Sequence, residues 1–314
     1  MKFYPEGRII ETAENKTFLR SPGTLNDAMR QNAVLESKAV MCDSAHNLIV
    51  DFGFMKGVIP REEGAIGIRE GTVRDIALLS RVNHPVCFIV QDFIEDQKGM
   101  TIALLSRRAV QEICLDSYIN NLCPGDIIDA KITHIDSFGV FTDIGCGLPA
   151  LLPIDAISVS RIAHPSERFL PGSTITAIVK SVENGRVTLT HKELLGTWEE
   201  NAAYFASGET VSGIVRSVEP YGIFVELTPN LAGLAEFKEG IEPGSQASVF
   251  IKSILPNRMK IKLIIIDSFP AAEKKPEPLR YFIKDGHIDK FTYSPADSDR
   301  MIQSVFTDTE SDTL

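Results

Sequence analysis

The sequence has no apolar run of about 18 residues, the length that a membrane-spanning helix needs. Its first residues also lack the apolar stretch that a signal peptide places between a basic start and a small-residue cleavage site. These two absences argue against a transmembrane helix and against a secretory leader. We therefore expect a cytoplasmic protein that does not act at a membrane.

Cysteine is scarce, and no two cysteines are spaced as a C-x-x-C pair. An odd and scattered set argues against a disulfide framework and against a zinc site. We therefore expect no metal and no other cofactor. Reduced thiols are expected at all five positions, which are Cys42, Cys87, Cys114, Cys123 and Cys146.

Basic charge is not in excess either, since 32 lysines and arginines face 42 aspartates and glutamates, for a net charge of −10. The acidic excess is concentrated in 193–207 and in the tail from 267, whereas 125–192 and 208–264 are close to neutral. A neutral domain can still present a basic groove on one face. If the partner is a nucleic acid, we expect modest affinity and modest sensitivity to salt, because the broad electrostatic attraction of a strongly basic protein is missing.

What the sequence does contain is a repeat. Residues 125–152 return at 208–235 without a gap and at an offset of 83, so that Phe138 aligns with Tyr221 and Phe141 with Phe224. The ends of the two units align at a shorter offset of 72, which places Lys180 on Lys252, Ser181 on Ser253, Arg186 on Arg258 and Leu189 on Ile261. A repeat of this size indicates a tandem array of domains.

Each repeat has the strand pattern of a small barrel. In the first complete copy, alternating apolar residues predict strands over 127–136, 139–144, 148–152, 174–183 and 186–191. The dipeptide Asn184-Gly185 is a strong hairpin turn between the last two of these. Five short strands with this spacing describe an OB-fold, which is a five-stranded Greek-key barrel.

The fold class is therefore mainly β, with tandem OB-fold five-stranded barrels joined by short helices. A more divergent copy precedes the repeat, with His46 and Asn47 in place of Phe138 and Gly139. A tail with a hairpin around Asp285-Gly286 follows it, and Trp198 in the second linker is expected to anchor packing. The predicted domains are an N-terminal extension 1–33, a diverged unit 34–108, a linker helix 109–124, an OB unit 125–192, a linker helix 193–207, an OB unit 208–266 and an acidic tail 267–314.

The repeated strand-two aromatics are the candidate binding residues. Two rings this close on one twisted strand are not expected to fit the core together, and unpaired bases stack well on outward-facing rings. Cations repeated near the rings can meet phosphates. The predicted nucleic-acid-binding residues are Phe138, Phe141, Lys131, Lys180 and Arg186 in one unit and Tyr221, Phe224, Arg216, Lys252 and Arg258 in the next.

The pattern resembles the RNA-binding repeat of small-subunit ribosomal protein one. The resemblance lies in S-F-G-V-F-T-D-I-G at 137–145, P-Y-G-I-F-V-E-L at 220–227 and V-K-S-V-E-N-G-R-V-T-L-T-H-K at 179–192. It implies an OB barrel that binds single-stranded RNA, namely mRNA, with the 30S subunit as a partner. The histidine that the family carries after strand three is missing, because Leu152-Pro153 and Ala235-Glu236 occupy that region.

Three alternatives remain open at this point. The chain could be an RNA-binding regulator of mRNA stability or stress expression that acts away from the ribosome. It could be a protein-interaction scaffold that uses the diverged unit and the acidic tail. A nuclease is disfavoured because the carboxylates are spread singly over strand ends, with no nucleophile or phosphate-cradling loop. We expect no catalysis and no small-molecule substrate.

Overall fold

The computed structural model describes residues 3–96, 99–183, 185–270, 276 and 278–306, and it contains three closed five-stranded barrels. The first barrel consists of β1 Leu35–Cys42, β2 Leu48–Asp51, β3 Lys56–Ile59, β4 Pro85–Glu95 and β5 Thr101–Ser106. The second consists of β6 Ile127–Asp136, β7 Gly139–Asp143, β8 Pro149–Pro153, β9 Thr174–Glu183 and β10 Arg186–Thr190. The third consists of β11 Thr210–Glu219, β12 Gly222–Thr228, β13 Leu231–Ala235, β14 Gln246–Leu255 and β15 Lys260–Phe269.

All three barrels share one strand order. The first three strands are neighbours in sequence order, the third pairs in parallel with the fifth, and the fourth closes the barrel on the first. This is the order of an OB-fold, and it confirms the predicted fold class. Asn184 of the predicted hairpin turn lies outside the described residues, but the strands on either side of it pair antiparallel as predicted.

Helices are few and short in the described part of the chain. They are α1 Ala13–Phe18, α2 Pro22–Arg30, α3 Ile76–Leu79, α4 Arg107–Ser117 and α5 Trp198–Ala202. The linker predicted as one helix over 193–207 is instead a 3-10 turn, Lys192–Leu195, followed by α5. Gly196 separates the two at φ +86°, and the Thr197 side chain then accepts a hydrogen bond from Glu200 N that begins α5.

The chain divides into two compact units. The first unit comprises 1–122 together with the hairpin 143–149. Its core is the interior of the first barrel, in which Leu48, Phe88 and Leu105 are fully buried, and Leu25 of α2 packs against them.

The second unit comprises 123–142 and 150–314, and its C-terminal segment is part of its core. Phe291, Tyr293 and Phe306 are buried in one apolar cluster with Trp198 and the interior of the third barrel. The expectation that Trp198 anchors packing is confirmed.

The hairpin predicted around Asp285-Gly286 does not form. Ile127 N of β6 donates to Gly286 O, and Ile288 N donates to Gly125 O, so this segment lies along the second barrel. The tail strands that do pair are β16 Lys290–Thr292 and β17 Gln303–Val305. The alternation in the sequence reflects packing against a barrel. Residues 271–275, 277 and 307–314 of the tail lie outside the described residues.

All five cysteines are free. Over the ranges that the structure describes, no helix is long and apolar enough to cross a membrane.

Candidate nucleic-acid interface

The predicted aromatic pairs lie on the outside of the second and third barrels. Phe138 is 51% exposed and meets the half-buried ring of Phe141 edge-on, at 5.9 Å between centroids and 86° between planes. Tyr221 is 70% exposed and meets the half-buried Phe224 in the same way, at 6.2 Å and 85°. The second and third barrels therefore each present one solvent-exposed ring in edge-on contact with a half-buried ring.

Strand alternation and a glycine produce this arrangement. In β12, Ile223 and Val225 are fully buried, so Phe224 between them must face outward. Gly222 follows Tyr221, and a Cβ there would lie 2.5 Å from the carbonyl oxygen of Ala235. The glycine is needed because strand three passes this close to the turn that carries the exposed ring.

The second barrel uses the same construction. A Cβ at Gly139 would lie 2.5 Å from the carbonyl oxygen of Leu152. Ile154 N, just after β8, donates a hydrogen bond of 2.9 Å to Phe138 O. The backbone beneath the exposed ring is therefore fixed, although the ring itself stands in solvent.

Strand pairing places a cation in line with the rings of the third barrel. Phe224 pairs with Leu234 on β13, and Leu234 pairs with Lys262 on β15. We call these three residues the cross-strand row of the third barrel. Neighbouring strands are about 4.8 Å apart, so the Lys262 backbone lies about 10 Å from that of Phe224, within reach of one nucleotide. Lys262 is exposed and was not predicted.

The strand pairing also corrects the alignment of strand five. Arg186 pairs with Glu183 in the second barrel, whereas Lys260 pairs with Leu255 in the third, so the turn of the third barrel is longer by two residues. Lys260, not Arg258, therefore occupies the place of Arg186. Arg258 is exposed but lies in the turn, within the 3-10 helix Pro256–Arg258.

Two other predicted cations do occupy equivalent places. Lys180 is the extra residue at a bulge between β9 and β10, and Lys252 is the extra residue at the matching bulge between β14 and β15. Bulges redirect a side chain out of the sheet, and both lysines are exposed. Lys131 is half-buried on the outer side of β6, between the buried residues Ala130 and Ile132.

Arg216 is buried in an ion-pair network and is not a free cation, which corrects that prediction. Its guanidinium binds Glu226 through two hydrogen bonds, of 2.7 Å from Nε and 3.0 Å from Nη2, and it also pairs with Glu167. Arg168 Nη2 donates to the same Glu226 at 2.6 Å. Only 8% of the Arg216 side chain is exposed. Burial opposes its charge, yet the hydrogen bonds to Glu226 hold the pKa of Arg216 above its ordinary value.

The first barrel lacks the rings at the equivalent positions. Its cross-strand row is Ile49, Val58 and Leu104, all aliphatic. His46 takes the place of the exposed ring, but its φ is +63°, in a turn that the Asp43 side chain closes by accepting from Ala45 N and Asn47 N. The prediction that 34–108 lacks the aromatic pair therefore agrees with its strand pairing.

Sequence reasoning missed Lys260 and Lys262, although the alternation of lysine with buried Ile261 and Leu263 could have indicated both. It also missed the exposed His134, whose ring stacks near Phe141. Among the described residues, no group of three or more His, Cys, Asp or Glu side chains is placed to hold a metal ion.

Comparison with known proteins defines the class of domain. Residues 122–192, which cover the second barrel, match the family model of the S1 RNA binding domain. The chain thus combines closed OB-type barrels with a recognised RNA-binding domain type.

The relatives by sequence are ribosomal. The small ribosomal subunit protein bS1 of Staphylococcus epidermidis is 31% identical over 237 residues, which cover 65% of this chain and 60% of that protein. Proteins of the same name from Staphylococcus aureus and Leuconostoc lactis are 27% and 28% identical, over 74% and 73% of this chain and 68% and 54% of those proteins. The matches therefore span between about half and two thirds of these relatives.

Among solved structures, a multidomain protein with nucleic acid binding domains from Streptococcus pneumoniae matches over 75% of this chain and 73% of its own, at 13% identity. Its TM-score with this chain is 0.24. The sequence comparisons confirm the resemblance to the RNA-binding repeats of small-subunit ribosomal protein one.

Proposed function

We propose that the second and third barrels bind single-stranded RNA without catalysing a reaction on it. The observation that carries this proposal is the repeated pair of rings, in which Phe138 and Tyr221 are each more than half exposed beside a half-buried phenylalanine. An exposed ring braced by another ring is a ready stacking surface for an unpaired base. Such stacking contributes about 1–3 kcal/mol per base and is tolerant of base sequence.

Exposed cations around the rings support the same ligand. Arg186 and Lys180 in the second barrel, and Lys260, Lys262 and Lys252 in the third, can each meet a phosphate. Cations on a chain of net charge −10 attract RNA only locally. We therefore propose that affinity comes from stacking together with a few phosphate contacts, and that it weakens as salt rises.

We further propose that the RNA is mRNA and that the protein acts in the cytoplasm, in translation at the small ribosomal subunit. This part rests on the name of the relatives, the small ribosomal subunit protein bS1. Sedimentation of a cell extract tests it directly. Co-sedimentation with 30S subunits supports it, whereas RNA-bound protein absent from 30S fractions would favour the regulator that acts away from the ribosome.

Binding of the full chain to a U-rich 12-mer tests the RNA site. The variant Phe138→Ala/Tyr221→Ala removes both exposed rings and should weaken binding roughly 30-fold or more, since each ring contributes at least about 1 kcal/mol. Both side chains are largely in solvent, so the melting temperature should hardly change.

The matched control is Phe54→Ala, which removes an exposed ring of the first barrel that stacks on Phe52 at 6.0 Å. This control should bind like wild type. Equal affinity for wild type and the double variant would refute the proposed site.

A further inference from the structure

His134 forms a third ring on the surface of the second barrel. It lies on β6, exposed, with its ring centroid 6.3 Å from that of Phe141 and 29° between the planes. Phe141 in turn meets Phe138 edge-on. The rings of His134, Phe141 and Phe138 therefore form a continuous aromatic surface that spans two strands.

The polar atoms of His134 are not used by the fold. Among the described residues, neither ring nitrogen takes part in a hydrogen bond, in contrast to His191, where Nδ1 lies 2.8 Å from Ile157 O and Nε2 lies 3.0 Å from the Tyr281 hydroxyl. An exposed ring whose nitrogens have no partner contributes little to stability. It remains able both to stack on a base and to hydrogen-bond its edge.

The other two barrels have no ring at this position. The residue that aligns with His134 in the third barrel is Ser217, which pairs with Phe224 across β11 and β12. In the first barrel the residue that pairs with Ile49 is Met41. The third ring is thus a property of the second barrel alone, within an otherwise repeated strand arrangement.

We infer that His134 is a base-stacking residue and that the second barrel holds one more unpaired base than the third. The inference rests on the proposed RNA-binding function and deepens it. In the third barrel the cation Lys262 lies in the cross-strand row, whereas the equivalent residue of the second barrel is Thr188, which pairs with Leu151. The second barrel therefore holds RNA more through rings, and the third more through phosphates.

Four variants of the full chain test the inference with a U-rich 12-mer that carries one 2-aminopurine, whose fluorescence falls when it stacks. His134→Ala and His134→Leu should each weaken binding about fivefold or more and reduce the quenching, because both remove a stacking face. His134→Phe should restore both, since it keeps a ring. Ser217→Ala, the matched control in the third barrel, should behave as wild type.

The variant His134→Leu distinguishes two roles of the His134 side chain, which are stacking on a base and packing over the ring of Phe141. If His134→Leu or His134→Ala binds and quenches like wild type, the inference is wrong, whatever the result for His134→Phe. If wild type itself fails to bind, the proposed function fails instead. If Phe138→Ala/Tyr221→Ala weakens binding while His134→Ala does not, only this inference is lost.

Discussion

The first and third barrels share one strand pairing but present different surfaces. The cross-strand row is Ile49, Val58 and Leu104 in the first barrel. In the third barrel it is Phe224, Leu234 and Lys262. The inward-facing neighbours, by contrast, are alike, since Leu48 and Val50 are as fully buried as Ile223 and Val225. The barrel is specified by its inward-facing residues, so its outer face can change without loss of the fold.

The same contrast extends to buried charge. The acidic residue two positions after the central ring position is the exposed Asp51 in the first barrel and the buried Glu226 in the third. Asp51 Oδ1 accepts a hydrogen bond from Gly53 N, at 2.8 Å, whereas Glu226 forms ion pairs with both Arg168 and Arg216. Equivalent carboxylates thus carry very different structural roles.

The largest predicted effect follows from that difference. Glu226→Ala leaves two buried guanidinium groups without their main partner and should lower the free energy of unfolding by about 3–5 kcal/mol. Asp51→Ala removes one exposed turn hydrogen bond and should cost about 1 kcal/mol. Hydrogen–deuterium exchange of each barrel measures both, and equal small losses would show that the buried network does not stabilise the second unit.

A pH effect of intermediate size should distinguish the two units. His191 lies three positions after Thr188, just beyond the end of strand five of the second barrel. Burial lowers its pKa to about 4. An unfolded histidine takes up its proton near pH 6.5, so between pH 6.5 and 4 the unfolded chain binds more protons and stability falls as pH falls. From pH 7 to 5 the free energy of unfolding should fall by about 2 kcal/mol, as measured by urea unfolding followed by Trp198 fluorescence.

The variant His191→Gln should lose most of that pH dependence. An unchanged slope of unfolding free energy against pH would show that His191 does not cause it. In the first barrel the equivalent residue is Arg107, paired with Glu6 at 2.7 Å. Burial opposes its charge, but Glu6 holds the pKa of Arg107 above its ordinary value. Arg107 is therefore not expected to make the first unit less stable between pH 7 and 5.

The smallest predicted effect concerns salt. Lys260→Ala/Lys262→Ala removes two phosphate contacts, so the slope of log affinity against log salt should become shallower by about 1.4 for a single strand. The matched pair in the first barrel is Lys38→Ala/Lys56→Ala, which also removes two exposed lysines. An equal change for both pairs would mean that the first barrel also contacts the RNA.

Local patterns in the sequence predicted the barrels well, because alternation and glycine turns act between near neighbours. Strands β6 and β9 agree with the predicted ranges 127–136 and 174–183. The ring pairs were predicted to face outward because two aromatic residues so close on one strand do not both fit the core, and Phe138 and Tyr221 are each more than half exposed.

What was missed depends on partners distant in the chain. Arg216 looked like a free cation because its additional partner, Glu167, comes from the preceding barrel. The longer turn before β15 could not be seen without strand pairing. The sequence alignment therefore placed Arg258, not Lys260, at the position of Arg186. The C-terminal segment alternates because it packs on barrels, and local pattern alone does not distinguish this from a hairpin.

The central claim is that RNA contacts the ring-bearing faces of the second and third barrels and not the first. Photo-crosslinking of the full chain to a 4-thiouridine 12-mer, followed by mass spectrometry of the peptides, tests it most directly. We expect crosslinks concentrated in 125–152 and 208–235, around Phe138 and Tyr221, and none above background in 34–108. Crosslinks centred on 34–108, or spread evenly over the three barrels, would contradict the claim.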